Sequence, residues 1–590
     1  MTAMTASCVE PHPQQSPSNP PLLPALLEAL LREDALGLRT SATAVQRPDL
    51  DDGAWLHLPT PNGVGLLIPV RPGALLADFG VRGASIRRAD SLHHLTDVDE
   101  VLALLTPSDD PQASAGVRAL RRECADALAG EDLAASARRA LIQRLGTAVT
   151  GPGLRGALAL DALAAGRRHP LYPTSSARSG LTVSELHEHA PETAPRFALH
   201  WVALPIDALT LAGALPASWP TCADIGLDPA LDDTHLAMPV HPLTAARSLL
   251  DALDGAGLSA RAILAPLTLV DVVPTLSMRT VALAEQPELH IKLPLATSTL
   301  GTLNRRTLTP GSLIDGAAVQ QLLDELVCAD PQLRGRVLHA DESTYVHAGS
   351  DLLSVMVRRW PAELAKSRVI PVAALAARLG DGRTVAQQVA DTFFGGDLAA
   401  LLECYLRLLV QVHVRLWLVH GIALEAHQQN AALVVDVVGG KPRIRLVFKD
   451  NDGPRVDREV LAASRGAAPE PVFDDHRLWA REARELCDVF TTITLHLCAA
   501  SVVVHLTEDD SNARAHLLGV LRDELVRAEQ EYAGCRDVDL LRSRILDAER
   551  LPVKGMLSAG TLLPKARTAA ADINKHYAGT APSYLLPDRG

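Results

Sequence analysis

Residues 420–430, HGIALEAHQQN, place Glu425, His427, Gln429 and Asn430 within six positions, directly after a long apolar stretch. If residues 424–430 run extended, Glu425, His427 and Gln429 share one face, because strand side chains alternate. Three polar groups on one face beside an apolar segment need hydrogen-bond partners or a ligand. The next segment, NAALVVDVVGGKPRIRLVFKD, reads as a β-hairpin turning at GGKP, and Asp450 ends its second strand. That return brings Asp450 back towards Asn430. The two supply the oxygen ligands that Mg2+ prefers, with phosphate oxygens supplying others. The competing reading is a polar connection whose groups bond to one another.

A second constellation is PTLSMRTVALAEQPELHIKLPL, two strands joined at AEQP. A turn centred between Glu285 and Gln286 sets Arg279 opposite Lys292. Facing cations in a hairpin repel by up to about 1 kcal/mol unless an anion lies between them. This favours a phosphate or carboxylate ligand, with Ser277 and Thr280 adding hydroxyl donors. The alternatives are cations turned to water, or a register one residue different. TLNRRTLTPGS offers Thr302 and the pair Arg305 and Arg306, whose forks suit carboxylates. RRHPLYPTSSARSG adds His169 and Arg178. On their own, a lone arginine pair and a histidine beside proline are more often a solvated loop and a structural contact.

The elements that must position these groups follow from periodicity. Residues 22–34 have helical spacing, AWLHLPT and VGLLIPV read as strands, and residues 91–150 are mostly helical. Pro170 and Pro173 keep residues 166–182 out of a plain helix. The centre is strand-rich: RFALHWVALPI, HLAMPVHP, LTLVDVVPTLSMRTVALA and ELHIKLPLAT. SLIDGAAVQQLLDELV returns to helix, and Asp397 is a fitting N-cap for the long apolar helix that follows it. The remainder is mostly helical. With 590 residues, 47% of them hydrophobic, the chain needs more than one core or lobe. The boundaries read as a disordered Pro/Ser/Gln-rich tail (1–20), a mixed N-terminal lobe (21–165), a strand-rich middle (166–385) and a helical lobe with one hairpin (386–590).

A net charge of −13 argues against a general nucleic-acid binder, which needs a basic face. It leaves room for a small basic pocket around one anion. The eight cysteines form no CxxC pair, which fits a reducing cytoplasm and neither a zinc knuckle nor a redox pair. The N-terminus lacks the apolar core of a signal peptide, and no apolar run reaches the roughly 18 to 20 residues of a membrane span. P-loop, dinucleotide, nucleophile-elbow and HExxH signatures are all absent.

Taken in order, these segments resemble the siderophore synthetases that work without a nonribosomal peptide synthetase, the IucA/IucC family. The resemblance runs from about residue 166 to about residue 453, and more weakly to the C-terminus. The family's GHPxHPxxKxRxG is similar to RHPLYPTSSARSG, keeping His169, Pro170, Pro173, Arg178 and Gly180. HAPETAPRFALHWVAL, MPVHP, PTLSMRT, HIKLPL, TLNRRTLTPGS, HGIALEAHQQN and LVFKDNDG follow in the family's order.

The resemblance implies a mixed α/β (α+β) hand-like fold: an N-terminal thumb, strand-rich fingers and a helical palm. It implies a cytoplasmic, often dimeric enzyme that uses ATP and Mg2+ to adenylate a carboxylate, commonly citrate. An amine or hydroxyl then condenses with the acyl group. Carried over by motif, Ser277, Arg279, Thr280 and Lys292 would contact ATP phosphates. Glu425, His427, Gln429 and Asn430 would line the nucleotide and metal site, with Asn430 and Asp450 as metal ligands. His169, Thr302 and one or both of Arg305 and Arg306 would hold the carboxylate; Arg306 is preferred because RTLTP follows it in register. The implied catalytic groups are His427, Arg279, Lys292 and Arg306. The sequence departs from the family at Tyr172 and Ser176, near the implied acyl site, where a histidine and a lysine are usual. It departs also at Lys449, where an arginine is usual, and after His241. A phosphotransferase using the same cleft, or a non-catalytic binding protein, are the alternatives.

Overall fold

The computed structural model describes residues 19–51, 53–83, 85–569 and 576–586. The tail expected over 1–20 lies outside them but for Asn19 and Pro20. The fold is mixed α+β, as expected. N-terminal strands between Thr43 and Leu95 form a six-stranded sheet. The helix Pro111–Leu145 follows, with Pro at its first turn and Asp110 as its N-cap. A shorter helix, α1 (Gly153–Ala165), leads into the irregular proline-containing segment.

The centre of the molecule is a nine-stranded sheet. Its principal strands are β1 (Phe197–Pro205), β2 (Leu269–Pro274), β3 (Thr280–Leu283) and β4 (Leu289–Lys292). After helix α2 (Pro310–Ala329) come β5 (Asp341–His347) and β6 (Ser354–Arg359). The order β1-β2-β3-β4-β6-β5 is antiparallel throughout. The hairpin register differs from expectation by one residue. Thr280, not Arg279, pairs with Lys292, because the tight turn begins later, after Leu283.

Helix α3 (Leu398–Leu418) starts where Asp397 accepts from the Ala400 N–H, and its Leu/Val/Trp faces are buried. The predicted hairpin is β7 (Ala431–Val438) and β8 (Lys441–Phe448), in a four-stranded sheet. Gly439 and Gly440, at φ 59° and 74°, make the two-residue turn that positive φ requires. One apolar core joins Leu22 near the N-terminus to Leu585 near the other end. A separate core of β-branched residues and leucines lies against the central sheet.

One continuous helical stretch, Ala483–Leu506, is long and apolar enough to cross a membrane, which the sequence reading missed. It packs inside the protein, with 83% of its apolar window buried. A hairpin formed by Arg550–Lys554 and Tyr577–Pro582 was also not anticipated.

Candidate active site

The central sheet, the β7–β8 hairpin and the helical C-terminal part enclose one cavity of about 950 Å³. Residues 424–430, expected to be extended, form a turn instead. The His427 N–H donates to the Glu425 carbonyl, and the Asn430 N–H to the His427 carbonyl at 2.8 Å. Alternation therefore does not align the polar groups; the turn does. Glu425, His427, Gln429 and Asn430 all reach the cavity wall. The open end of the hairpin is pinned beside them, where the Lys449 N–H donates to the Asn430 carbonyl at 3.0 Å. Asp450, one residue further on, enters the same wall.

Opposite this wall lies the connection between β2 and β3. Met278 sits at φ 63°, and Thr275 Oγ1 donates to the Thr280 carbonyl at 2.8 Å, closing a tight turn. The buried carboxylate of Asp161 on α1 accepts the Leu276 N–H at 3.2 Å and holds this turn to the helix. Ser277 and Arg279 project from it into the cavity. Arg279 Nη1 donates to the Thr307 carbonyl at 2.5 Å, while its Nε has no partner among the described residues. Lys292, at the end of β4, completes this side; its Nζ lies 2.7 Å from Asp450 Oδ1 and 3.6 Å from Asp452 Oδ2.

Arg305, Arg306 and His169 line the adjoining end of the cavity. Arg305 is exposed. Arg306 is half-buried, its Nε also lacks a partner among the described residues, and burial followed by repulsion from Arg279 lowers its pKa to about 9. Asp450 and Asp452 offset only part of the cost of keeping its guanidinium charged there; an anionic ligand relieves the rest. Burial, against the attraction of Asp450, likewise lowers Arg279.

Two expected groups are not brought to the wall. Thr280 is fully buried, paired to Lys292 in the sheet, with its Oγ1 accepting from Ser277 Oγ at 3.2 Å. Thr302 bonds through its N–H to Thr561 Oγ1 at 3.1 Å. Tyr172 and Ser176 also stay off the wall. The Tyr172 hydroxyl donates to Glu123 Oε1 at 2.8 Å, and Ser176 Oγ to the Ala127 carbonyl at 3.1 Å. Their neighbour Ser175 lines the cavity, as His169, Pro170 and Arg178 of the same loop do.

Two of the cavity histidines, His427 and His169, are fixed as the same tautomer. Nδ1 of His427 accepts the Gln429 N–H at 3.3 Å, and Nδ1 of His169 accepts the Leu171 N–H at 3.2 Å. The proton of the neutral ring is therefore on Nε2. Burial, reinforced by Lys554 near His427, lowers the pKa of His427 to about 4; burial lowers His169 to about 3. Both rings are neutral donors near pH 7. Burial alone would raise the pKa of Asp450, but Arg358, then Lys292 and Lys449, outweigh it and hold the carboxyl well below its usual range.

Sequence reasoning missed Glu342, Arg358 and Asp452. Asp452 was legible as the second acid of KDNDG, two residues beyond Asp450. Arg358 carried one signal, alternation in VMVRRW, which sends only one of its two arginines inward.

The fold is shared with a petrobactin biosynthesis protein and with aerobactin synthetases of known structure. The petrobactin biosynthesis protein AsbB from Bacillus anthracis superposes with a TM-score of 0.73 at 16% identity, covering 96% of this chain and 94% of that one. The ATP-bound aerobactin synthetase IucA from Klebsiella pneumoniae gives 0.69 at 17% identity, covering 96% and 100%. Residues 159–377 match the model of the IucA / IucC family, and residues 399–570 match that of the ferric iron reductase FhuF-like transporter. Among sequence relatives, staphyloferrin B synthase of Staphylococcus aureus is 27% identical over 55% of this chain and 57% of its own length. The protein y4xN of Sinorhizobium fredii is 28% identical over 78% of this chain and 75% of its own. Over residues 159–377 the chain is thus similar to the IucA / IucC family, and over most of its length it shares the fold of these structures.

Proposed function

We propose that the chain is an ATP-dependent ligase that adenylates a carboxylate and condenses the acyl group with an amine or hydroxyl. The observation that carries this reading is the pair of half-buried guanidiniums, Arg279 and Arg306. They line one cavity with Lys292, and the Nε of each has no hydrogen-bond partner among the described residues. Such a cavity takes a ligand with several negative charges, as a polyphosphate beside a carboxylate has. That the similar IucA is an ATP-bound structure supports the nucleotide half.

In this reading Ser277, Arg279 and Lys292 bind the phosphates, and Arg306, Arg305 and His169 hold the carboxylate. A carboxylate oxygen attacks the α-phosphorus of ATP, the bond to the bridging oxygen breaks, and pyrophosphate leaves. The nucleophile then attacks the acyl carbon, and AMP leaves. The chain's contribution is to hold both reactants in line and to meet developing charge with fixed donors. His427 donates Nε2–H without itself carrying charge.

The donor set fits a hard divalent cation. Asp450, Asp452, Glu425 and Asn430 line one wall, and no three His, Cys, Asp or Glu among the described residues converge into a complete protein cage. That is what Mg2+ asks for, since it binds through one or two carboxylates together with substrate phosphates and water. Asp450 and Asn430 would hold it. The cation supplies charge neutralisation at the phosphates when bound.

The reading is tested with purified protein, ATP, Mg2+ and a panel of carboxylates, hydroxylamine serving as the trapping nucleophile. AMP and pyrophosphate formed with particular carboxylates support it. ADP in their place identifies a phosphotransferase, and an absence of turnover across the panel identifies a binding protein; either overturns it.

A further inference from the structure

Asp450 is held from behind by residues that do not reach the cavity. Its backbone lies at φ 54°, a left-handed conformation that aspartate tolerates only at some cost. The Asp450 N–H donates to Glu342 Oε1 at 2.9 Å and to Oε2 at 3.1 Å. Glu342 lies in a β-bulge. Asp341 pairs with Arg359 but Thr344 pairs with Val357, leaving one extra residue on β5. Bulges re-aim side chains, and this one accompanies a contact of Glu342 with Arg358 on β6, whose Nε donates to Glu342 Oε1 at 2.5 Å. Arg358 Nη2 lies 2.7 Å from Asp450 Oδ1 as an ion pair, and Nη1 has no partner among the described residues. Arg358 is 0% exposed and the Glu342 side chain 4%.

One oxygen, Asp450 Oδ1, thus stands between two cations of different standing. Lys292 lines the cavity, where a ligand can meet it. Arg358 is anchored in the sheet and shared between two carboxylates.

We infer that Glu342 and Arg358 are positioning residues for the divalent-cation site: Glu342 holds Arg358 away from full pairing with Asp450 and so keeps the Asp450 charge available to a cation in the cavity. The inference rests on the nucleotide and Mg2+ reading above. Without the Glu342 charge, Arg358 pairs with Asp450 alone and the buried group gains one net positive charge. Both changes oppose a divalent cation and neither touches the nucleotide directly.

The test uses the full chain, a non-hydrolysable ATP analogue and Mn2+, with free Mn2+ read by electron paramagnetic resonance. Glu342→Gln keeps an acceptor for the Asp450 N–H but loses the charge. It is expected to raise the Mn2+ Kd of the analogue complex about 10- to 100-fold, the range typical of residues that orient metal ligands. Analogue affinity without metal is expected to stay as in the wild type. Glu342→Asp restores the charge and is expected to lie between the two. An unchanged Mn2+ Kd in Glu342→Gln overturns the inference, and so does an equal loss of metal-free analogue binding, which marks a merely structural role. If Glu342→Gln does not fold, the Asp variant decides: an intermediate loss supports the inference and wild-type affinity overturns it. Wild-type protein that binds no analogue overturns the nucleotide reading itself, and this shows before any substitution is made.

Discussion

Lys292, at the end of β4, and Asp450, just past β8, meet at 2.7 Å across the seam between the central sheet and the hairpin sheet. The pair fastens the two walls of the cavity to each other. Both side chains are largely removed from water, at 4% and 13% exposure, so the pair is not a solvent-screened surface bridge. Asp450→Ala leaves Lys292 and Arg358 facing each other without their shared acid, and is expected to cost about 3–5 kcal/mol of stability. Urea unfolding checks this: the transition moves to lower urea, and an unmoved transition contradicts the placement of the pair.

The two neighbouring arginines are expected to behave differently. Arg306 is half-buried beside Arg279, its Nε without a partner among the described residues, whereas Arg305 is exposed. Arg306→Ala is expected to raise the carboxylate KM by at least about 10-fold, since a bidentate charged contact is worth roughly 1.5–3 kcal/mol. Arg305→Ala is expected to change it far less. Carboxylate saturation curves for both variants check this, and the reverse order moves the assignment to Arg305.

Tyr172 stands where the family resemblance implies an acyl-site histidine, yet its hydroxyl is spent on Glu123. Thr174 Oγ1 and Thr561 Oγ1 donate to the same buried carboxylate. Tyr172→Phe is therefore expected to lower stability by about 1–3 kcal/mol, the cost of a buried acceptor losing one donor. The carboxylate KM is expected to remain as in the wild type. A changed KM with unchanged melting places Tyr172 at the substrate after all.

Acid should unfold the protein well above the carboxylate range. Burial lowers His169, His241 and His413 to about 3, and His339, His427 and His496 to about 4. Each unfolded histidine binds its proton near pH 6.5, so between 6.5 and 4 the unfolded state holds more protons. Stability is then complete above pH 6.5 and falls as pH drops towards the folded values. Each such histidine therefore loses stability as pH falls towards its folded value, and the losses act in the same direction. Circular dichroism across this range is expected to show loss of structure before pH 4. A native signal retained at pH 4 contradicts the burial of these rings.

Much of this was legible in the sequence where local chemistry decides structure. Gly439-Gly440 announced the β7–β8 turn, Asp397 announced α3, and the motifs carried Ser277, Arg279, Lys292, Arg306, His427 and Asp450 to the cavity, though not the wall beyond Arg455. What was lost depended on distant contacts. The β3–β4 register slipped by one because two polar turn positions were equally plausible centres. Residues 424–430 alternate like a strand, yet short backbone bonds within the segment close them into a turn. Glu342 and Arg358 lie in β5 and β6, strands that no motif marked, and a bulge with no signature in DESTY accompanies their contact. The apolar helix of residues 483–506 reads as one run only once its threonines and histidine are seen buried against neighbours.

The most direct measurement is carboxylate-dependent exchange of labelled pyrophosphate into ATP by the wild-type protein with Mg2+ and no nucleophile. Adenylation is reversible, so the account predicts exchange that appears with particular carboxylates and vanishes in Arg279→Ala. Absence of exchange with every carboxylate under conditions where ATP is bound, or exchange undiminished in Arg279→Ala, contradicts it.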